Sequence, residues 1–264
     1  MLEFKKGVDI LSAVGGIQSI EEAKRVFSEK VDDENREKLA GIKTEAALLK
    51  IANAIAVCQP DKVVVLMGSK EDAEFVKKYS IEKGEEAPLA IDGHTIHYDL
   101  PQDQARLVKQ TFYIVNSDEK ISSLAKREPR EESLAYIKKH MTGIMNGKIM
   151  FVGFYSRGPV GAKASIPAIE ISSSTYVLHS AALLYRNCYA DFDAEVVRRG
   201  EFFTNVHSEG PNRPEDVPNA RIYMDRSWQT TYSMFCTYAG NTLLMKKGNH
   251  RFASDSAIYE HNGI

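Results

Sequence analysis

Few of the features that mark extracellular, membrane-bound or nucleic-acid-binding proteins occur in this sequence. It has only three cysteines, far apart and odd in number, which indicate neither a disulfide framework nor a zinc site. The formal net charge is only -2, so no bulk field attracts nucleic acid or anionic lipid. The N-terminus lacks the apolar run of a signal peptide, and no apolar stretch has membrane-spanning length. These absences predict a reduced, cytoplasmic protein without nucleic-acid or membrane partners.

The commonest phosphate-binding loop is also missing. Asp61–Met67 is a continuous apolar run of strand length, and Gly68 and Ser69 follow it before a predicted helix over residues 71–81. A strand, a glycine and a helix start can bind phosphate, but one glycine is too few, and G-x-x-x-x-G-K-[ST] occurs nowhere in the chain. We therefore interpret Ser69 as a helix cap.

The composition is that of a globular protein with a sizeable core. The chain has 264 residues, 43% of them apolar and 27% charged, enough for one large domain or two small ones. Residues 1–60 are predicted to be largely helical, with a capping box at Ser19–Glu22 and an apolar helix over Glu45–Val57. Strand-like runs follow at Thr111–Val115, Lys148–Tyr155 and Ile166–Ser172. The pattern predicts helices packed on a sheet.

Several polar residues could have functional roles, but a structural role is the simpler interpretation for each of them. Three residues that can bind metals lie close together in the sequence, namely His94, His97 and Asp99. Strand alternation places His94 on the opposite face from the other two, so we interpret all three as polar strand residues near a turn. The charged segment Lys120–Glu132 is predicted to be an exposed connection with solvated arginines, including Arg130. His179 is interpreted as a satisfied structural histidine, and His207 as structural or supporting, without assigned chemistry.

The most informative stretch is Trp228–Phe252. It begins as a predicted strand over Gln229–Cys236, breaks at Tyr238–Asn241 and recovers an apolar run just before Lys246 and Lys247. A strand, a glycine turn and a helix start present backbone N–H groups to an anion. With an aromatic ring and two amines nearby, the stretch suits a small polyanionic substrate.

The pattern Tyr-x-Gly-Asn-x-Leu-Leu-x-Lys-Lys in this stretch resembles the substrate and metal segment of the GTP-dependent phosphoenolpyruvate carboxykinases. That family usually has two glycines after the tyrosine, whereas the first is Ala239 here. The Cys58–Asp61 segment, the Ser156–Gly161 turn and the Arg251–Ser254 segment are also similar to the family, so the resemblance covers approximately residues 58–261. It implies an α/β fold with a mixed β-sheet flanked by helices.

The resemblance also implies the site residues. Arg106 would hold the substrate carboxylate through two parallel donors, although residue type alone favours a surface salt bridge. Tyr238 would lie against the substrate or CO₂, with the backbone of Ala239 and Gly240 beside it. The substrate-binding set is Arg106, Tyr238, Ala239, Gly240 and Asn241, and the catalytic set is Arg106, Tyr238 and Lys246.

Two further residues would be ligands of Mn²⁺ or Mg²⁺, namely Lys247 and His261. Lysine ligates only as a neutral amine, so desolvation or nearby positive charge must lower its pKa. Without the resemblance, Lys246 and Lys247 are better read as a solvated pair. The His261 match is weaker, because the preceding loop is shorter than in the family and Asn262 replaces a methionine. A frayed terminal histidine remains an equal alternative.

The implied activity is that of a decarboxylating lyase of gluconeogenesis, which converts oxaloacetate and GTP to phosphoenolpyruvate, GDP and CO₂. The expected organisation is a helical segment over residues 1–60, a substrate-binding α/β domain over residues 61–264, and a nucleotide-binding domain outside this chain as its partner. Three alternatives stay open: a non-catalytic module that binds oxo-acids, the same chemistry with ATP or pyrophosphate as phosphoryl donor, and an unrelated α/β protein with a chance motif.

Overall fold

The computed structural model describes residues 7–98, 110–116, 119 and 126–236. The helices are α1 (Ile10–Gly15), α2 (Ile20–Lys30), α3 (Asp33–Ala40), α4 (Glu45–Cys58), α5 (Lys70–Glu82), α6 (Arg130–Met141), α7 (Thr175–Leu184) and α8 (Phe192–Arg199). The strands are β1 (Lys62–Leu66), β2 (Ala87–Pro88), β3 (Thr95–Ile96), β4 (Thr111–Val115), β5 (Arg127–Pro129), β6 (Ile149–Arg157), β7 (Ile166–Ser172), β8 (Arg186–Asn187), β9 (Phe203–Ser208), β10 (Arg221–Asp225) and β11 (Thr230–Met234).

One mixed sheet organises this part of the chain. Its order is β1-β6-β7-β9-β11-β10-β4-β5, with β8 paired to β6, and β2 and β3 form a separate hairpin. The three central strands β7, β9 and β11 are parallel to one another, whereas β6 and β10 on either side of them are antiparallel. The predicted α/β fold with a mixed sheet flanked by helices is confirmed.

The C-terminal ends of the central strands lie together at one end of the sheet. Strands β6 and β10 begin at this end because they run the opposite way. Strand β4 also begins there, since Thr111 lies beside Ile222 of β10, and Ile222 lies beside Ser233 of β11. The end of β11 and the start of β4 therefore lie at the same end of the sheet.

Both faces of the sheet are covered by helices. On one face, α1, α4 and α6 pack against a core that includes Ile169, Val206 and Tyr232. On the other face, α5 and α7 pack against a second cluster around Phe151 and Phe203. Covering both faces explains why every residue of the three central strands is buried. In the described residues, no helix is both long and apolar enough to cross a membrane.

Local sequence signals predicted many elements correctly. Ser19 caps α2 in a reciprocal capping box with Glu22, and Ser69 caps α5 in the same way with Asp72. The Asp72 carboxylate also accepts hydrogen bonds from the backbone N–H groups of Met67 and Gly68. The donors of this turn are therefore occupied by the protein itself, which confirms the interpretation of Ser69 as a cap.

The prediction that Arg130 is solvated is wrong. Its side chain is buried at the start of α6 and makes two hydrogen bonds of 2.6 and 2.9 Å to the carboxylate of Asp225 in β10. Burial of a guanidinium requires such a paired geometry, since an unpaired buried charge is strongly unfavourable. The charged surroundings of Arg130 in the sequence suggested exposure, but its partner is 95 residues away along the chain.

Candidate functional site

The residues predicted to bind the substrate and metal lie outside the described part of the chain. These are Arg106, Tyr238, Ala239, Gly240, Asn241, Lys246, Lys247 and His261. The described chain resumes at Gln110, four residues after Arg106, and it stops at Cys236, two residues before Tyr238. Their roles stay predictions, but the structure shows the strands that flank the two segments in the sequence.

The strands next to those two segments in the sequence lie close together at the same end of the sheet. Strand β4 follows the Arg106 segment, and β11 precedes the Tyr238 segment, with only β10 between the two strands. Thr111 and Ser233 flank the same residue, Ile222, on its two sides. With about 4.8 Å between adjacent strands, the start of β4 lies about 10 Å from the end of β11. The start of β4 at Thr111 and the end of β11 at Met234, 123 residues apart in the sequence, thus lie in one small region of the sheet.

A histidine of β9 holds the chain where it leaves β11. The ring of His207 is 2.7 Å through Nε2 from the carbonyl oxygen of Cys236 and 2.7 Å through Nδ1 from Oγ of Ser172 in β7. Because a carbonyl can only accept, Nε2 carries the proton and Nδ1 accepts from the serine. Burial lowers the pKa of His207 to about 4, so the ring is neutral at physiological pH.

A polar cavity of about 610 Å³ opens at this end of the sheet. It is lined by Lys148 before β6, Ser173 after β7 and Glu209 after β9, together with residues of the β2–β3 hairpin. The Lys148 amine lies 3.2 Å from the Glu209 carboxylate. Burial, followed by the charge of Glu85, raises the pKa of Glu209 to about 7. The cavity thus contains a carboxyl group that titrates near neutrality.

The hairpin wall of this cavity is attached to the first turn of α7. The Glu85 carboxylate accepts hydrogen bonds from Oγ of Ser174 at 2.7 Å and from the backbone N–H of Tyr176 at 2.9 Å. The His97 ring stacks on the Tyr176 ring with 3.7 Å between centroids, and its Nδ1 lies 2.5 Å from the carbonyl oxygen of Glu85. These contacts fix the chain just before it continues toward Arg106.

The histidines considered as metal ligands have other partners. His97 contacts Tyr176 and Glu85, as described above. Nδ1 of His94 lies 3.1 Å from the carbonyl oxygen of Asp92. Asp99 lies outside the described residues. Within the part of the chain that the structure describes, no three histidine, cysteine or acidic side chains converge as a metal site would require. His179 pairs with Glu86 at 2.9 Å, which confirms its interpretation as a satisfied structural residue.

A buried acid in β7 was not predicted. The carboxyl group of Glu170 accepts a hydrogen bond of 2.5 Å from Nδ2 of Asn205 in β9, while its second oxygen has no partner. Burial raises the pKa of Glu170 well above the ordinary value. The signal was present in the sequence, since Glu170 is the one charged residue of the mainly apolar strand I-P-A-I-E-I-S.

The fold and the features at this end of the sheet are typical of α/β proteins that bind small molecules. Polar side chains and a cavity lie beyond the C-terminal ends of parallel strands, where open α/β sheets bind small molecules. The family model of the phosphoenolpyruvate carboxykinase N-terminal domain matches residues 50–258. The chain therefore belongs to this family.

Curated relatives agree with this assignment. The chain is 37% identical over 223 residues to "Phosphoenolpyruvate carboxykinase [GTP]" of Saccharolobus solfataricus, covering 84% of this chain and 35% of the relative. It is 35% identical over 238 residues to the protein of the same name from Thermococcus sibiricus, covering 89% of this chain and 38% of the relative. The matches thus span little more than a third of each of these two relatives.

Proposed function

We propose that the protein containing this chain is a GTP-dependent phosphoenolpyruvate carboxykinase, and that this chain binds oxaloacetate and phosphoenolpyruvate. Support comes from the family membership and from the names of the relatives. The observation that carries the proposal is the adjacency of the start of β4 and the end of β11. That adjacency is what a site built from Arg106 and Tyr238 requires.

In this proposal, each segment contributes a different kind of contact to the oxo-acid. The guanidinium of Arg106 binds a carboxylate of the substrate with two parallel hydrogen bonds. The ring of Tyr238 lies beside the substrate or CO₂, and the backbone of Ala239 and Gly240, with Asn241, supplies polar contacts. The amine of Lys246 adds positive charge close to the enolate that loss of CO₂ leaves.

The proposed metal ligands are Lys247 and His261. A neutral amine and an imidazole are nitrogen donors, which fit Mn²⁺ better than Mg²⁺, since Mg²⁺ prefers oxygen ligands. Two nitrogen donors are only part of a coordination shell, so other ligands would come from substrate, water or the rest of the protein. When bound, the cation stabilises the enolate charge and orients the transferred phosphoryl group.

We further propose the division into a helical segment over residues 1–60 and a substrate-binding domain over residues 61–264. The family model begins at residue 50, inside α4, which supports a boundary in this region. The relatives are much longer than the matched region, and we place the GTP-binding domain in their additional sequence. The proposed location of the enzyme is the cytoplasm.

The test is an assay of the protein at its full natural length. We expect phosphoenolpyruvate from oxaloacetate, Mn²⁺ and GTP, and little product when ATP or pyrophosphate replaces GTP. Arg106→Ala should raise the KM for oxaloacetate by about 100-fold, because it removes a bidentate charge-assisted contact. Arg127→Ala is the matched control, since Arg127 is exposed on β5.

The outcomes separate the alternatives. Binding of oxaloacetate without product from any donor would favour the non-catalytic module. Product formed only from ATP or pyrophosphate would change the donor and keep the reaction. Wild-type activity in Arg106→Ala would contradict the proposed site.

A further inference from the structure

The backbone is strained at the residue where the chain leaves β11. Phe235 has a φ of 57°, in the left-handed region that side chains with a Cβ rarely adopt. This residue directly follows β11 and precedes Cys236, where the described chain ends. Such a conformation persists only when the surrounding structure enforces it, and it is found preferentially at functional sites.

Three contacts from β9 and the turn after it enforce this conformation. The backbone N–H of Phe235 donates to the carbonyl oxygen of Ser208 at 2.8 Å. On the other side of the strained residue, His207 donates from Nε2 to the carbonyl oxygen of Cys236 at 2.7 Å. The Phe235 ring lies over Gly210, where an added Cβ would come within 2.6 Å of the ring.

The His207 ring is itself oriented by β7. Oγ of Ser172 accepts a hydrogen bond from the backbone N–H of Ser174 at 3.0 Å and donates to Nδ1 of His207 at 2.7 Å. A chain of hydrogen bonds therefore runs from the start of α7 through Ser172 and His207 to Cys236. This chain of hydrogen bonds selects the His207 tautomer that donates to Cys236. It also spans the C-terminal ends of all three central strands.

We propose that His207 is a positioning residue for the oxo-acid site. By holding the Cys236 carbonyl, His207 enforces the turn at Phe235 and thereby sets the direction in which the chain leaves the sheet toward Tyr238. This inference rests on the function proposed above, because it assigns His207 to the affinity for the oxo-acid. His207 does not touch the substrate in this account, and it acts through the backbone alone.

The decisive comparison is between two variants of the full-length protein. His207→Leu keeps an apolar side chain in the buried position and removes the donor to Cys236. We expect it to raise the KM for oxaloacetate about tenfold, the effect of one hydrogen bond, while the KM for GTP stays unchanged. His207→Gln places an amide N–H near the position of Nε2 and should restore most of the affinity.

Two further variants separate positioning from general damage. His179→Leu removes a different histidine, which is partly buried and pairs with the Glu86 carboxylate, and it should leave both KM values unchanged. If His207→Leu fails to fold, Ser172→Ala gives the milder test, because it removes only the hydroxyl that orients the ring. It should raise the KM for oxaloacetate about threefold.

The inference is overturned if the folded His207→Leu protein has a wild-type KM for oxaloacetate, or if the KM values for oxaloacetate and GTP rise together. If the wild-type protein makes no phosphoenolpyruvate, the proposed function fails, but titration calorimetry with oxaloacetate still decides the inference. Tenfold weaker binding by His207→Leu would support it. Absence of oxaloacetate binding by the wild-type protein would overturn both.

Discussion

The two side chains of the Lys148–Glu209 ion pair differ in how much of each is exposed to solvent. The lysine reaches partly into solvent, whereas the Glu209 carboxylate is largely buried. Burial makes the charged form of the acid less favourable, and the nearby charge of Glu85 adds to this effect. No local signal singles out Glu209 in the sequence, because an acid after a strand is ordinarily solvated.

Glu209 should make the stability of the fold depend on pH near neutrality. Its pKa is raised from 4.5 to about 7 in the folded protein, so the folded state retains the proton that the unfolded state loses. Its favourable contribution is therefore complete below pH 4.5 and is lost as the pH rises through 7, by about 3 kcal/mol. Denaturant titrations of wild type and Glu209→Gln across this range measure the difference.

The variant comparison is needed because His207 acts in the opposite direction. Its lowered pKa means that stability is lost as the pH falls from 6.5 through about 4. This term is common to both proteins and cancels in the difference. A difference in the free energy of unfolding that does not change between pH 4.5 and 7 would contradict the role assigned to Glu209.

The buried pair of Arg130 and Asp225 is the strongest stability prediction at the level of residues. Asp225→Ala would leave the Arg130 guanidinium buried without its carboxylate, which we expect to cost about 3 to 5 kcal/mol of unfolding free energy. Chemical denaturation measures this loss. The exposed Arg127→Ala variant is the control and should change stability by less than about 0.5 kcal/mol. Equal effects of the two substitutions would contradict the structure.

The caps at the starts of α2 and α5 were predicted correctly from the sequence. The capping boxes at Ser19 and Ser69 depend on residues only three positions apart, so their partners are visible in the local sequence. Strand β11 was predicted to extend through Cys236, but the structure ends it at Met234. The difference arises from the left-handed turn at Phe235, because a bulky aromatic residue gives no local signal for such a turn.

The cap of α5 allows a test at the scale of one element. Ser69→Ala removes the side chain that accepts from the backbone N–H of Asp72 and should lower stability by about 1 kcal/mol. Because this turn is not a phosphate site, the KM for GTP of the full-length enzyme should not change. Ser28→Ala, at an exposed position near the end of α2, controls for loss of a serine hydroxyl. An increased KM for GTP in Ser69→Ala would reinstate the phosphate interpretation.

At the scale of the whole molecule, the proposed reaction needs more than these 264 residues. We expect a protein made of this chain alone to bind oxaloacetate, measured by calorimetry, and to form no phosphoenolpyruvate with GTP and Mn²⁺. The reason is that the proposed GTP-binding domain belongs to the additional sequence of the relatives. The full-length protein is the positive control, and turnover by the chain alone would contradict the proposed division.

The fold class and most helices and strands followed from the sequence, because hydrophobic periodicity and helix caps depend on near neighbours. The family and the candidate site residues followed from short motifs. Only the tertiary structure shows that Arg130 binds Asp225 and that His207 donates to Cys236, since these partners are 95 and 29 residues apart in the sequence. Such pairings depend on strand order and register, which local composition does not encode.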